Sequence, residues 1–183
     1  MFGQIAVFLV DTVFTFFVFL LLLRFHFQWL RVPFRNPVGE FVLQTTSWMV
    51  MPVRRVVPGL AGLDLPTFLL AWIVQALGLW AQAAIGGAEP NALPLVLVAL
   101  VDLLRYSLYI LVAAIVIQVV FSWINPYTAV APVVDVMTRP FVRPLRRFVP
   151  PIGNFDLTPL VLLIIIQVIL IVVWHLRQAV ALV

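Results

Sequence analysis

Four long runs of apolar residues restrict the folds that this sequence can adopt. They cover residues 5–29, 65–85, 93–124 and 157–176. A helix needs roughly 20 apolar residues to cross the hydrocarbon core of a bilayer. The chain is 64% hydrophobic and only 10% charged, whereas soluble domains are about 25% charged. The sequence therefore predicts an all-α membrane protein with four transmembrane helices.

The two halves of the chain repeat the same pattern. Residues of matching type stand 92 positions apart: Arg54 and Arg146, Asp64 and Asp156, Gln75 and Gln167. A constant offset of this kind indicates an internal duplication. Each half contains two spans, and an inverted repeat would need an odd number. We therefore expect two tandem hairpins, in residues 1–90 and 91–183.

An arginine-rich segment precedes the second span of each half. The first hinge segment, residues 51–67, reads MPVRRVVPGLAGLDLPT, and the second, residues 143–159, reads RPLRRFVPPIGNFDLTP. Eight of the eleven basic residues lie on this side of the spans: Arg31, Arg35, Arg54, Arg55, Arg139, Arg143, Arg146 and Arg147. The positive-inside rule predicts that this side is cytoplasmic and that both termini face outward.

Each hinge segment overlaps or follows an amphipathic stretch. Apolar or small residues recur at helical spacing in both halves: Val38, Phe41, Val42, Thr45 and Met49, matched by Val130, Val133, Val134, Met137 and Phe141. A helix of about 15 residues is too short to span and is expected to lie in the plane of the membrane interface. Pro37 and Pro126 precede the two stretches, and Pro52 and Pro144 are expected to end them.

The hinge arginines Arg54, Arg55, Arg143, Arg146 and Arg147 have three candidate roles. They could bind lipid phosphates and set the topology. One arginine of each Arg-Arg pair could bridge to the aspartate of its own hinge segment. The arginine face could instead dock a cytosolic partner.

Asp64 and Asp156 stand at the start of the second span of each half. A carboxylate there is typical of a helix N-cap, which accepts hydrogen bonds from unpaired backbone N–H groups. The alternative is an ion site at both positions. Pro66 and Pro159 then fall in the first helical turn, where proline is tolerated.

A second group of polar residues lies within the spans. Asp102 and Arg105 can face each other because they are three positions apart on one helix, and Asp11 is the repeat equivalent of Asp102. One hypothesis is that both aspartates share Arg105 across the repeat interface. The alternative is that both acids are wet at the outer membrane surface. Gln75 and Gln167 are expected to form interhelical hydrogen bonds, with a permeation path as the alternative.

An enzymatic function is not indicated. The chain has no cysteine, and it contains no hydrolase elbow, phosphate loop, dinucleotide fingerprint or HExxH motif. We expect no cofactor and no metal site. The net charge of +4 is not carried by a solvated basic domain, so anionic lipid is the expected partner and direct nucleic-acid binding is not expected.

The duplicated motif resembles the YggT family of small integral membrane proteins of bacteria and plastids. The second half carries it in Asn125, Pro126, Thr138, Pro140, Pro144, Leu145, Arg146, Arg147, Pro150, Asp156, Thr158 and Pro159. The first half matches in residues 21–29 and at Asn36, Pro37, Thr46, Pro52, Arg54, Arg55, Pro58 and Asp64. It departs at Trp48, where proline is expected, and at Pro66-Thr67, where the order is reversed.

The resemblance implies a multi-pass protein of the bacterial inner membrane, linked to osmotic tolerance or to division and envelope organisation, with no established reaction. We expect a non-enzymatic scaffold or assembly factor that binds anionic lipids and other membrane or cytosolic proteins, and homo-oligomerisation is a further option. The rival hypothesis is a small transporter or channel component responding to osmotic stress, whose path would be lined by Asp11, Gln75, Asp102, Arg105 and Gln167. A third is an accessory subunit for cofactor insertion.

Overall fold

Helices account for the fold of the chain. The computed structural model describes residues 2–59, 62–89, 91–125, 127–149 and 156–182. Their helices are α1 (Phe2–Trp29), α2 (Pro37–Val56), α3 (Leu65–Ile85), α4 (Ala92–Ile124), α5 (Ala131–Leu145) and α6 (Thr158–Ala181). Of these, α1, α3, α4 and α6 are long and apolar enough to cross a membrane. Within the described residues, the prediction of a helical fold with four helices suited to cross a membrane is confirmed.

The ends of the spans follow helix propensity as well as hydropathy. The bounds of α3 agree with the predicted run, whereas α6 continues past Leu176 to Ala181. Arg177 and Gln178 interrupt the hydropathy run, but both residue types favour helix. Helix α6 therefore extends five residues beyond the predicted apolar run.

The spans pack mainly within each half of the chain. Helix α1 packs on α3, α4 packs on α6, and a contact between α3 and α4 joins the halves. The larger buried cluster includes Val18, Leu21, Leu22 and Leu103. At Gly78 on α3, a Cβ atom would lie 2.9 Å from the Cβ of Phe14 on α1. The absence of a side chain at residue 78 therefore permits the close approach of these two spans.

Helices α2 and α5 occupy the connectors between the spans of each half. Helix α2 begins at Pro37 itself, and the side chain of Asn36 caps it by accepting from the N–H of Gly39 at 2.9 Å. The expectation that Pro52 ends this helix is wrong, because α2 continues to Val56. Proline removes one N–H donor but leaves the next turn intact, and the N–H of Val57 still bonds the carbonyl of Val53 at 2.9 Å.

The second connector behaves similarly over a shorter distance. Helix α5 contains Pro140 and Pro144 and ends at Leu145, so Pro144 lies in the last turn and does not follow the helix. Its side chains Val133, Val134 and Met137 are buried. The predicted boundary at Pro126 lies outside the described residues.

Candidate functional site

The first hinge is an ion pair that joins three helices. The carboxylate of Asp64, which is 2% exposed, accepts from the guanidinium of Arg54 at 2.6 Å. The hydroxyl of Thr67 also donates to this carboxylate, and Arg54 donates to the side chain of Gln28 at 2.9 Å. The end of α2 is therefore tied to the end of α1 and to the start of α3.

The second hinge repeats the pair at the same spacing of ten residues. Arg146 donates through Nε to Oδ2 of Asp156 at 2.9 Å, and its Nη2 lies 2.8 Å from the same oxygen as an ion pair. The backbone N–H of Thr158 donates to the other carboxylate oxygen at 2.9 Å. Asp156 is 36% exposed, so the two hinges have the same chemistry but very different access to water. We call Arg54–Asp64 the first hinge pair and Arg146–Asp156 the second hinge pair.

The cap interpretation fits the two aspartates differently. Asp156 stands one position before the N-cap residue Leu157, and its carboxylate accepts from the backbone N–H of Thr158 at the start of α6. At Asp64 the expected backbone hydrogen bond is not formed among the described residues. The side chains of Arg54 and Thr67 occupy its carboxylate instead. Asp64 therefore stands at the N-cap position of α3 as expected, but the expectation that its carboxylate accepts from a backbone N–H is wrong.

The pKa of Asp156 is lowered from its ordinary value. Partial burial of the carboxyl group acts to raise its pKa. Hydrogen bonds from Thr158 and Arg146, with the positive charge of Arg146, outweigh that effect. The carboxylate is therefore held ionised to a lower pH than an unpaired aspartate.

The remaining hinge arginines are exposed. Arg55, Arg143 and Arg147 have no acidic partner within the part of the chain that the structure describes. Arg139 differs, because it pairs with Asp135 one turn earlier on α5. The guanidinium groups of these three arginines are therefore exposed to solvent, whereas those of Arg54 and Arg146 are paired with aspartates.

A further polar contact ties each connector helix to the span before it. Arg24 on α1 is 4% exposed and donates to the hydroxyls of Thr46 at 2.8 Å and Ser47 at 3.2 Å on α2. In the second half, Thr138 on α5 donates to Gln118 on α4 at 2.7 Å. Thr46 and Thr138 are 92 positions apart, so equivalent threonines of the two repeats hold the connector helices to the preceding spans.

Sequence reasoning did not identify these span–connector contacts. The offset of 92 positions does not align Arg24 with Gln118, because these residues are 94 positions apart. The signal that would have found them is local: each residue stands five positions before a tryptophan, Trp29 or Trp123. Counting from that tryptophan aligns the arginine of one repeat with the glutamine of the other.

Asp102 is the centre of a buried polar cluster within the spans. It is 1% exposed and pairs with Arg105 on its own helix at 3.1 Å. Gln75 of α3 donates to it at 3.0 Å, and Nε of Arg177 on α6 donates at 2.8 Å. Arg105 also lies 5.1 Å from the ring centre of Tyr106, a favourable cation–π distance. The cluster joins α3, α4 and α6.

Asp11 does not share Arg105, so that hypothesis is wrong. Asp11 is exposed and accepts from Gln82 at 3.2 Å and Thr15 at 3.5 Å. It lines an open cavity of about 630 Å³ between the ends of α1 and α3. Asp102 pairs with Arg177 of α6 in addition to Arg105. The sequence did not predict the pair with Arg177. The alternative that both acids are wet is also wrong for Asp102, because the cluster buries it.

The two matched glutamines have different surroundings. Gln75 is 4% exposed and bonds Asp102, as expected of an interhelical amide. Gln167 is exposed on α6. Within the described residues, neither Asp11 nor Gln167 forms a hydrogen bond with the Asp102 cluster. The described residues also contain no group of three or more potential metal ligands.

Comparison with known proteins agrees with the duplicated architecture. The sequence profile of the CCB3/YggT family matches residues 3–84 and again residues 97–177. The chain belongs to the CCB3/YggT family. The two matches place one YggT unit in each half, so the resemblance and the internal repeat are confirmed together.

YggT relatives extend over most of the chain. An uncharacterised protein of Pseudomonas aeruginosa is 28% identical over 159 residues, covering 85% of this chain and 81% of its own length. The uncharacterised protein YggT of Escherichia coli is 29% identical over 164 residues, with 88% and 85% covered. An uncharacterised protein of Haemophilus influenzae is 30% identical over 147 residues, with 80% and 78% covered. No solved structure matches the chain.

Proposed function

We propose that this YggT family protein is a non-enzymatic scaffold or assembly factor of the bacterial inner membrane, acting in envelope organisation or osmotic tolerance. The observation that carries the proposal is the division among the hinge arginines. Arg54 and Arg146 hold the hinges closed, whereas Arg55, Arg143 and Arg147 are exposed. An exposed guanidinium held next to a hinge ion pair can bind a phosphate or carboxylate group through two parallel hydrogen bonds.

The connector helices support a platform at the membrane surface. On α2, the side chains Val42, Thr46 and Val50 are buried against the spans. Phe41, Trp48 and Met51 on the same helix are 51%, 65% and 63% exposed. Large apolar side chains on an interfacial helix are covered when the helix lies at the boundary between headgroups and acyl chains. We therefore propose that α2 and α5 lie in the membrane plane.

The charge distribution supports a cytoplasmic orientation of the platform. Eight arginines lie on the side of the two connector helices, and the connector between α3 and α4 contains no basic residue. The positive-inside rule places such a side in the cytoplasm. The platform would then face anionic lipids of the inner leaflet and cytosolic partners, with both termini outward.

The scaffold proposal is tested by the proteins that remain bound in lipid nanodiscs. Tagged wild type would be extracted gently, reconstituted with anionic lipid, and its partners counted by mass spectrometry. We expect a partner at fixed stoichiometry that Arg55→Gln/Arg147→Gln loses while the thermal stability of the protein is unchanged. Those two arginines are exposed and have no acidic partner among the described residues, so the loss would report on the surface.

The matched control removes the same charge from the neighbouring arginines. Arg54→Gln/Arg146→Gln has the same net charge but breaks both hinge pairs, so we expect lower thermal stability as well as weaker binding. No stoichiometric partner of the wild type would contradict the scaffold function. Equal retention of the partner by Arg55→Gln/Arg147→Gln would show that the exposed arginines do not carry it.

A transporter or channel component is the second candidate, favoured by the Asp102 cluster. Ionisable residues within spans often mark ion or proton pathways, and Asp102 contacts two arginines. This candidate predicts solute or ion flux across proteoliposomes under an osmotic shift, abolished by Asp102→Asn. Absence of flux from folded, reconstituted protein would exclude it.

A further inference from the structure

Two apolar cavities lie between the repeats, beside the end of the first span. The first apolar cavity has a volume of about 230 Å³ and is enclosed by α1, α4, α5 and the start of α2. The second apolar cavity has a volume of about 180 Å³ and is enclosed by the end of α1, α4 and α5. Ile110 and Met137 line both cavities. These two side chains therefore stand at the boundary between the cavities.

The walls of both cavities suit hydrocarbon. The first is lined by aliphatic and aromatic side chains, with the Tyr109 hydroxyl as its one side-chain polar group. The second includes His26 and Ser107, but Nδ1 of His26 lies 2.6 Å from the Leu22 carbonyl and Ser107 donates to the Leu103 carbonyl at 2.8 Å. An apolar cavity of about 150 Å³ can hold a benzene molecule. Both cavities therefore have room for part of an acyl chain.

Both cavities have exposed residues in their walls. Tyr109 and Ile117, on the wall of the first, are 43% and 40% exposed. Trp29, on the wall of the second, is 48% exposed. Because α1 and α4 are long and apolar enough to cross a membrane, the apolar molecules that meet these openings are lipids.

The connector between α1 and α2 runs from one cavity to the other. Leu30 lines the second cavity, and Val38 lines the first. Arg31 and Arg35 lie on the segment between them, and both are exposed. Within the ranges that the structure describes, neither has an acidic partner. Two cationic side chains are therefore carried by the segment that joins the two cavities.

This connector has a fixed conformation. Val32 is 3% exposed, and its N–H donates to the carbonyl of Phe27 at 2.8 Å. The ring of Phe34 lies 5.6 Å from that of Phe27, measured between centroids. A ligand that binds an ordered segment loses less free energy to ordering it. The backbone around both arginines is therefore prepared for binding.

The backbone at Arg31 adopts a conformation that favours glycine. Its φ is 57°, and its N–H donates to the carbonyl of Gln28 at 3.2 Å. With the Val32–Phe27 bond, this is the pattern that ends many helices at a left-handed residue, which is usually glycine. A side chain in this region strains the backbone. Strain retained at an exposed arginine indicates a use for its side chain outside the fold.

We propose that the two apolar cavities and the connector bind one anionic phospholipid, with an acyl chain in each cavity and the phosphate on Arg31 and Arg35. A diacyl lipid has two hydrocarbon chains on one phosphate-bearing headgroup, which matches two apolar cavities joined by a cationic segment. Hydrogen bonds from guanidinium to phosphate are charge-assisted and strong. The site does not include the hinge arginines, so the inference stands or fails apart from the scaffold function.

Native mass spectrometry of the protein in mild detergent tests the site directly. The retained phospholipid is counted per chain and identified after extraction. We expect one anionic diacyl phospholipid per chain after washing, and a single-chain anionic lipid should displace it poorly. Wild type without retained phospholipid, equal retention of a neutral phospholipid, or equal competition by the single-chain lipid would overturn the proposal.

Filling the first apolar cavity should expel the lipid. Ala113 lines this cavity and is exposed, so Ala113→Leu adds bulk there without crowding the buried core. We expect lipid affinity to fall about 5- to 150-fold, the equivalent of a typical overpacking cost. Ala84→Leu is the matched control, since Ala84 is exposed on α3 and lines neither cavity. Equal lipid affinity of the two variants would overturn the proposal.

Arg31→Gly separates a lipid contact from a structural role. Lipid affinity should fall about fivefold, the effect of one basic residue near an anionic surface. The melting temperature of the lipid-free protein should rise, because glycine relieves the strain at this position. Arg143→Gln, which removes one exposed charge from α5, should retain the lipid. A lower melting temperature without loss of lipid, or equal loss from both variants, would contradict the assignment of the phosphate to Arg31.

Discussion

The two hinge aspartates show how one residue type serves in two environments. Asp64 and Asp156 each accept from an arginine ten residues earlier. Asp64 is 2% exposed and Asp156 is 36% exposed. Ion pairs in water contribute less than about 1 kcal/mol, whereas unpairing a buried charge is far more costly. The first hinge pair should therefore be the more sensitive to substitution.

The pH dependence of the second hinge pair follows from the lowered pKa of Asp156. A carboxyl group with a lower pKa in the folded state stabilises the fold above its unfolded pKa, and this contribution is lost as the pH falls through the folded value. Asp156→Asn should lower stability slightly at neutral pH, by less than about 1 kcal/mol because the pair is exposed. The difference from wild type should vanish in acid. Thermal unfolding at both pH values measures it.

A salt titration provides the control for this prediction. The effect of Asp156→Asn at neutral pH should shrink as ionic strength rises, because salt screens exposed pairs. An effect that persists in acid would indicate lost packing or capping and not lost charge.

Residue contacts differ in how far they can be predicted from the sequence. The hinge pairs could be proposed from the sequence, because only ten positions separate each arginine from its aspartate. The Arg177–Asp102 pair could not, because 75 positions separate the residues and only the packing of α6 on α4 brings them together. Gln167 illustrates the reverse case: its periodic match to Gln75 predicts the same bond, but no helix of its own chain covers it.

At the scale of the helices, the span lengths were the most predictable feature. Hydropathy alone locates α3 and α4 to within a residue or so. Proline was a poorer guide, since Pro52, Pro140 and Pro144 all lie inside connector helices. Each proline removes its own N–H donor, but the next turn still forms, since the N–H of Val57 bonds Val53 at 2.9 Å and the N–H of Arg146 bonds Val142 at 3.1 Å. The packing of one helix on another depends on the shapes of the side chains at the contact, which the spacing of apolar residues in the sequence does not reveal.

The α1–α3 contact gives a prediction at this scale. Gly78→Ala would place a Cβ atom 2.9 Å from the Cβ of Phe14, a contact that rotation of the ring cannot relieve. We expect a loss of about 1–3 kcal/mol of stability from overpacking, despite the better helix propensity of alanine. Gly3→Ala on α1 is the control, since nothing lies within 4 Å of its added Cβ. Equal thermal unfolding of the two variants would contradict the packing account.

For the whole molecule, the Asp102 cluster is the main polar link between the repeats. It combines Gln75 from the first half with Arg105 and Arg177 from the second. A buried charge without partners is strongly destabilising, so this cluster favours one relative arrangement of α3, α4 and α6.

Removal of Arg177 should weaken that arrangement without abolishing it. Arg105 remains paired with Asp102, so Arg177→Gln should cost about 1–3 kcal/mol, the usual effect of losing one partner of a buried polar group. In a double-mutant cycle, Asp102→Asn should make the second substitution less harmful, with a coupling of about 0.5–3 kcal/mol. Arg143→Gln, which removes an exposed arginine, is the control. Strictly additive effects would show that the pair is not coupled.

The distance in sequence between Asp102 and Arg177 has a consequence for membrane insertion. Asp102 is synthesised 75 positions before Arg177, a delay of roughly 4–15 s at typical rates of translation. During that interval Asp102 must enter the bilayer with Arg105 and Gln75 as its available companions. Arg105, one turn away on the same helix, can neutralise the acid as it leaves the translocon. We therefore expect its main contribution to lie in biogenesis, before Arg177 completes the cluster.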